Sequence, residues 1–222
     1  MRVGFVLFPD VTQLDFTGPL QVLGRLPDAS VHLVARDMRP VPSDGVLALP
    51  PTDTFDTCPD LDVICAPGGF GVDGAMNDAA LIAFLRRQAA GARYVASVCT
   101  GAFVLGAAGL LRGRRATTHW AYHDDLTRVG AIPVKARVVR DGNLFTGGGV
   151  TAGIDFALTL FAEIAGEDAA RAVQLGLEYD PAPPFDAGSP GSAPAAVYEA
   201  AAANYAARLA KFRASLETAL SA

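Results

Sequence analysis

Short apolar runs recur along the chain, each ended by a turn signal. Val3–Phe8 stops at Pro9-Asp10, Leu61–Ala66 stops at Pro67-Gly68-Gly69, and Arg93–Val98 runs into Cys99-Thr100-Gly101. Runs without polar alternation read as strands covered on both faces. Val31–Ala35 is a fourth. Between them lie helix-spaced stretches. Leu14–Leu26 is one, interrupted early by Gly18-Pro19; a second starts at an Asn77 or Asp78 cap and reaches about Ala90. An apolar helix follows the Cys99 turn as far as Leu111, and His119–Val129, Ala152–Ala165 and Glu167–Leu177 are also helical. Pro40–Thr57 reads as a short ribbon or loop. Lys135–Val139 and Leu144–Thr146 form a hairpin through Asp141-Gly142. Strands alternating with helices predict an α/β fold, a mainly parallel sheet sandwiched by helices. Pro181–Pro194 has one helix after it, so it reads as a connector, and residues 1–222 as a single domain. That helix carries apolar or aromatic residues at 197, 201, 205, 209, 212, 216 and 220, one stripe that packs on its own domain or forms part of a dimer contact.

Composition agrees with a packed enzyme-sized domain. Of 222 residues, 51% are hydrophobic and 18% charged, which excludes disorder and allows a large core. A net charge of −5, with one short basic cluster at Arg112-Gly113-Arg114-Arg115, argues against nucleic acid. Three cysteines at 58, 65 and 99 make neither a disulfide framework nor a zinc pattern, and they fit a reducing cytoplasm. The N-terminus reads as a strand and not a signal peptide, and no apolar run is long enough for a membrane. No His/Asp/Glu cluster has metal-ligand spacing, so neither metal nor cofactor is expected.

The chemistry concentrates at Ser97-Val98-Cys99-Thr100-Gly101, a strand, a sharp turn and a helix start, as in a nucleophile elbow. A helix N-terminus favours thiolate, and the Thr100 N–H stands where it can meet developing charge. The alternative is a small buried hydrophobe. Cys65, inside a strand, reads as core; Cys58 has no assigned role. Residues 69–74 match G-x-G-x-x-G but lack the acidic residue a dinucleotide site needs. The Pro67-Gly68-Gly69 turn instead predicts a pocket-lining backbone, with Gly69 and Thr100 as an oxyanion hole. His32 reads as surface and His123 as exposed; His119 is either a pocket residue or a helix cap. Asp15 follows the first strand at the elbow's edge of the sheet, as a helix cap or as a proton carrier whose pKa burial would raise. The Gly147-Gly148-Gly149 loop before Thr151 and Asp155 is expected to pack on the elbow helix.

Asp15 after the first strand, Ala66-Pro67-Gly68-Gly69, the Cys99 elbow, Ala116-Thr117-Thr118-His119-Trp120 and the Thr146–Asp155 loop together resemble the ThiJ/PfpI superfamily. Its members share a flavodoxin-like, class I glutamine amidotransferase-like sandwich. Within it, VCTGAFVLGAAGLL, RATTHWAYH, RDGNLFTGGGVTAGIDFALTL and QLGLEYDPAPPFDAGSP are most similar to the isocyanide hydratases. The resemblance implies a cofactor-free, homodimeric enzyme hydrating small isocyanides to N-substituted formamides. Cys99 would add to the isocyanide carbon to give a thioimidate, and Asp15 would act as general acid and base. The Thr100 hydroxyl would bond the thiolate, and Gly68, Gly69, His119 and Trp120 would line the pocket. Thr100 stands where many members have His, and Asp15 where many have Glu; both departures oppose peptidase chemistry. A dicarbonyl-directed glyoxalase or deglycase, and a sensor like the ligand-binding half of AraC-type regulators, remain as alternatives.

Overall fold

The computed structural model describes residues 1–221. Seven strands form one sheet. Named in chain order, these are β1 (Arg2–Val6), β2 (Ser30–Ala35), β5 (Asp53–Thr54), β6 (Val63–Ala66), β7 (Tyr94–Val98), β10 (Val138–Asp141) and β11 (Leu144–Gly147). Their spatial order is β10-β11-β7-β6-β1-β2-β5, parallel throughout except for β10 against β11. The expected hairpin therefore supplies the antiparallel edge. Two small ribbons complete the strands: β3 (Val41–Pro42) with β4 (Ala48–Leu49), and β8 (Arg115–Ala116) with β9 (Ile132–Pro133).

The pleat sorts the apolar strands onto two cores. Val3 and Phe5 of β1, Val63 and Cys65 of β6, and Tyr94, Ala96 and Val98 of β7 face one side; Val6, Ile64, Ala66 and Val95 face the other. The first core is closed by α1 (Leu14–Leu23), α5 (Ala152–Ala165) and α6 (Glu167–Gly176). The second is closed by α2 (Val72–Met76), α3 (Ala79–Gly91), α4 (Gly101–Ala107) and α7 (Ala195–Ser221). Asp78 caps α3 as expected, accepting from Ala80 and Leu81 N–H at 3.0 Å. β5, inside the stretch read as a ribbon or loop, is a parallel strand of the main sheet beside β2, and three further elements differ from expectation. Helix α4 ends at Ala107, followed by left-handed Gly109 (φ 79°). Trp120–Val129 is a 3₁₀ helix, its N-terminus capped by the His119 ring at 3.3 Å. The stripe on α7 is buried only at Phe212 and Leu216, while Val197 and Leu220 at its ends are exposed.

Sheet order also locates the site. From β1 the chain steps outward to β2, then returns to β6 on the other side of β1. Loops after β1 and β6 therefore diverge and leave a crevice at the carboxyl edge, where ligands bind in open α/β sheets.

Candidate active site

Cys99 sits directly after β7 with φ 56°, a conformation that few non-glycine residues adopt. Three contacts hold it there. Its N–H donates to the carbonyls of Gly147 (3.1 Å) and Gly148 (2.7 Å), and its carbonyl accepts from the Thr118 hydroxyl at 2.6 Å. Gly101 allows the turn to close. A Cβ there would stand 2.0 Å from the Ala66 carbonyl oxygen, and backbone cannot yield as a flexible side chain can. The Thr146–Gly149 loop thus supports the elbow turn itself, where packing on the elbow helix was expected of it.

Asp15 lies in the first turn of α1 but caps nothing. It is fully buried and points inward, where its Oδ2 accepts from the Gly68 N–H at 2.8 Å. Its Oδ1 is buried without an N–H or O–H partner, and the carboxyl interacts with the Cys99 thiol. Burial raises the Asp15 pKa to about 7, although the Gly68 N–H and the thiol both favour the anion. Burial pushes the Cys99 thiol well up, and the Asp15 charge adds to this; the Thr100 N–H and hydroxyl oppose both without prevailing. The thiolate bias expected from the helix N-terminus is therefore overridden by desolvation. Cys99 and Asp15 form a pair in which the carboxyl is the readier group to lose its proton.

The glycine turn does something other than expected. The Gly68 N–H is engaged by Asp15, and the Gly69 N–H donates to Thr100 Oγ1 at 3.1 Å. Neither amide is left free for an oxyanion, so this turn positions the carboxyl and the threonine. Gly68 must lack a side chain: a Cβ would lie 2.6 Å from Thr100 N and 2.9 Å from Asp15 Oδ2. A bridge between Val11 and Gly69 ties the Asp15 loop to this turn.

His119 caps the 3₁₀ helix, one of the two readings its sequence position allowed. Burial lowers its pKa to about 4, and it is neutral near pH 7. Trp120 stacks beside it, ring centroids 5.5 Å apart. His123 is buried, correcting its expected exposure, because the 3₁₀ helix turns it inward. His32 is part-buried within β2 and paired with Asp53 at 2.8 Å. Cys65 is core. Two residues were given no site role from the sequence: Tyr205, whose hydroxyl pKa is raised by burial and then by the Cys99 charge, and Arg208, which faces Asp73 at 3.7 Å. Both sit on α7, read only as a packing stripe. Among the described residues no group of three or more His, Cys, Asp or Glu could hold a metal, and no helix is long and apolar enough to cross a membrane.

Comparison with known proteins adds to this geometry. The DJ-1/PfpI family profile matches residues 1–163. An isonitrile hydratase of Pseudomonas putida is 66% identical over 201 residues, covering 90% of this chain and 88% of that one. The crystal structure of a ThiJ/PfpI family protein from Pseudomonas syringae superposes with a TM-score of 0.94 at 46% identity, covering 97% of this chain and 90% of the other. The HTH-type transcriptional regulator GbdR of Pseudomonas aeruginosa is 30% identical over 80% of this chain, which spans 50% of that regulator.

Proposed function

The chain belongs to the DJ-1/PfpI family, and from that premise we propose that it hydrates isocyanides (isonitriles) to N-substituted formamides, as a hydro-lyase. The observation that carries this reading is the buried Cys99–Asp15 pair, read beside the 66% identity to an isonitrile hydratase. The ionised Asp15 carboxylate takes the Cys99 proton, and the sulfur adds to the terminal isocyanide carbon. The S–C bond forms as the electron pair on that carbon receives the proton from Asp15. The product is a thioimidate, S–CH=N–R, with thiol and isocyanide fully accounted for. Asp15, again a carboxylate, then takes a proton from water as the water oxygen adds to the same carbon, and passes that proton to the nitrogen, giving S–CH(OH)–NH–R. Collapse to HC(=O)–NH–R breaks the C–S bond and returns the proton to sulfur.

Within this cycle charge moves between two adjacent groups and is not created in a dry site, which would be far costlier. Thr100 N–H and Oγ steady the sulfur when it is anionic. Nothing in the sequence is routed through a metal or cofactor. The chain is further proposed to act as a cytoplasmic homodimer of single-domain subunits, as the family resemblance implies. The direct test mixes the purified protein with para-nitrophenyl isocyanide and follows formamide by ultraviolet absorbance. Formation by the wild type and none by Cys99→Ala supports the reading; equal formation by the variant removes Cys99 as the nucleophile.

A further inference from the structure

If the isocyanide carbon bonds to Cys99, its N-substituent must occupy the space beyond the sulfur. We propose that this substituent packs against the half-exposed rings of an aromatic cage, His119, Trp120 and Tyr205 backed by buried Tyr122, with Tyr205 of α7 setting a preference for large, flat, uncharged groups over small ones. This inference rests on the hydratase reading above.

Tyr205 is the hub of the cage. Its ring lies 5.4 Å from His119, 5.4 Å from Trp120 and 6.0 Å from Tyr122. These are the separations at which rings stack or meet edge to face. Tyr198, one helical stretch earlier and exposed, lies 5.7 Å from Trp120, so the aromatic surface continues to solvent. The cage is tied to the backbone of the Cys99 elbow. Thr118, whose hydroxyl binds the Cys99 carbonyl, immediately precedes His119. The His119 Cδ2 is 3.3 Å from where a Cβ on Gly149 would stand, beside the Gly148 carbonyl that accepts the Cys99 N–H.

The cage is uncharged near neutral pH. His119 is neutral because burial lowers its pKa. Burial raises the Tyr205 and Tyr122 hydroxyls, so both keep their protons. Arg208 is the nearby cation, one helical turn beyond Tyr205. Its guanidinium donates to the Phe70 carbonyl, stacks over the Phe70 ring at 4.6 Å and faces Asp73. That anchorage pins α7 against the α2 turn and fixes where Tyr205 stands. An aryl group gains ring contacts in such a site, whereas a methyl group reaches few of them.

The test compares kcat/KM for para-nitrophenyl isocyanide and methyl isocyanide. In Tyr205→Ala the aryl-to-methyl ratio is expected to fall by roughly tenfold or more, the scale on which apolar pockets discriminate. Tyr205→Phe, which keeps the ring, should retain the wild-type ratio. A ratio unchanged in Tyr205→Ala overturns the proposal, as does equal loss of the ratio in Tyr205→Phe. A second readout needs no turnover: alkylation of Cys99 by N-phenylmaleimide relative to N-methylmaleimide, scored on the Cys99 peptide by mass spectrometry. If the wild type makes no formamide from either isocyanide, the hydratase reading fails, and the alkylation ratio still decides the cage. A drop in that ratio on Tyr205→Ala supports it and a flat ratio overturns it.

Discussion

At the scale of single residues, the site is governed by one desolvated proton. Asp15 titrates near pH 7 because burial penalises its anion more than the Gly68 N–H stabilises it. The proposed reaction begins from the anion, so kcat/KM is expected to rise with pH through about 7. A profile flat from pH 5 to 9 would show that Asp15 is not the base. Stability runs the other way. The folded carboxyl binds its proton more tightly than the unfolded one, whose reference value is 3.8. The protonated form's contribution is fully present below about pH 4 and is lost as pH rises through 7, by roughly 4 kcal/mol at the upper limit. Asp15→Asn should therefore lose turnover by roughly 10²–10⁴-fold while gaining thermal stability over the wild type at pH 8 and not at pH 4. Melting curves at the two pH values check this. A variant no more stable than wild type at pH 8 would mean that the buried carboxyl is not strained by its charge.

At the scale of elements, α7 is the piece whose role exceeds its sequence signature. Phe212 is fully buried, with its ring 4.7 Å from Phe103 of α4 and 4.8 Å from Tyr122. The helix is thereby keyed to both the elbow helix and the aromatic wall. Phe212→Ala is expected to cost about 3–5 kcal/mol in chemical denaturation, the range for deleting a buried ring. It should also raise KM for an aryl isocyanide, because α7 carries Tyr205. A loss of stability below about 1 kcal/mol would show that α7 docks without this anchor. The elbow is an element of the opposite kind. Its strand, turn and small residues are local, and they appear in the sequence as they appear in the fold.

At the scale of the whole molecule, one sheet serves two cores, so neither helical layer has a hydrophobic face without it. Unfolding is expected to be a single cooperative transition. Fluorescence of Trp120, the one tryptophan, and far-ultraviolet circular dichroism should give coincident curves in urea. Separate midpoints would divide the chain into two folding units. Sedimentation of the same sample should give the mass of a dimer, and a monomer at micromolar concentration would remove the proposed assembly.

What the sequence by itself determined is whatever depends on neighbours in the chain. The four central strands announced themselves by apolar runs, and the elbow by small residues around Cys99, whereas β5 left no such run and joined the sheet only through its pairing with β2. The parallel α/β order followed from alternation, and the long motifs carried the family resemblance. What only the tertiary structure decided depends on residues far apart. Asp15, left between a helix cap and a buried proton carrier, is fixed as a buried acid because Gly68 brings an N–H to it from another loop. The Gly68 and Gly69 amides were taken from the oxyanion role by Asp15 and Thr100. Burial reversed the expected bias of the Cys99 thiol, since desolvation depends on everything packed around a group and leaves no mark in local spacing. Tyr205 reached the site because Phe212 and Leu216 seat α7 on the second core, and a stripe at helical spacing states that a face will be covered without stating what it will cover.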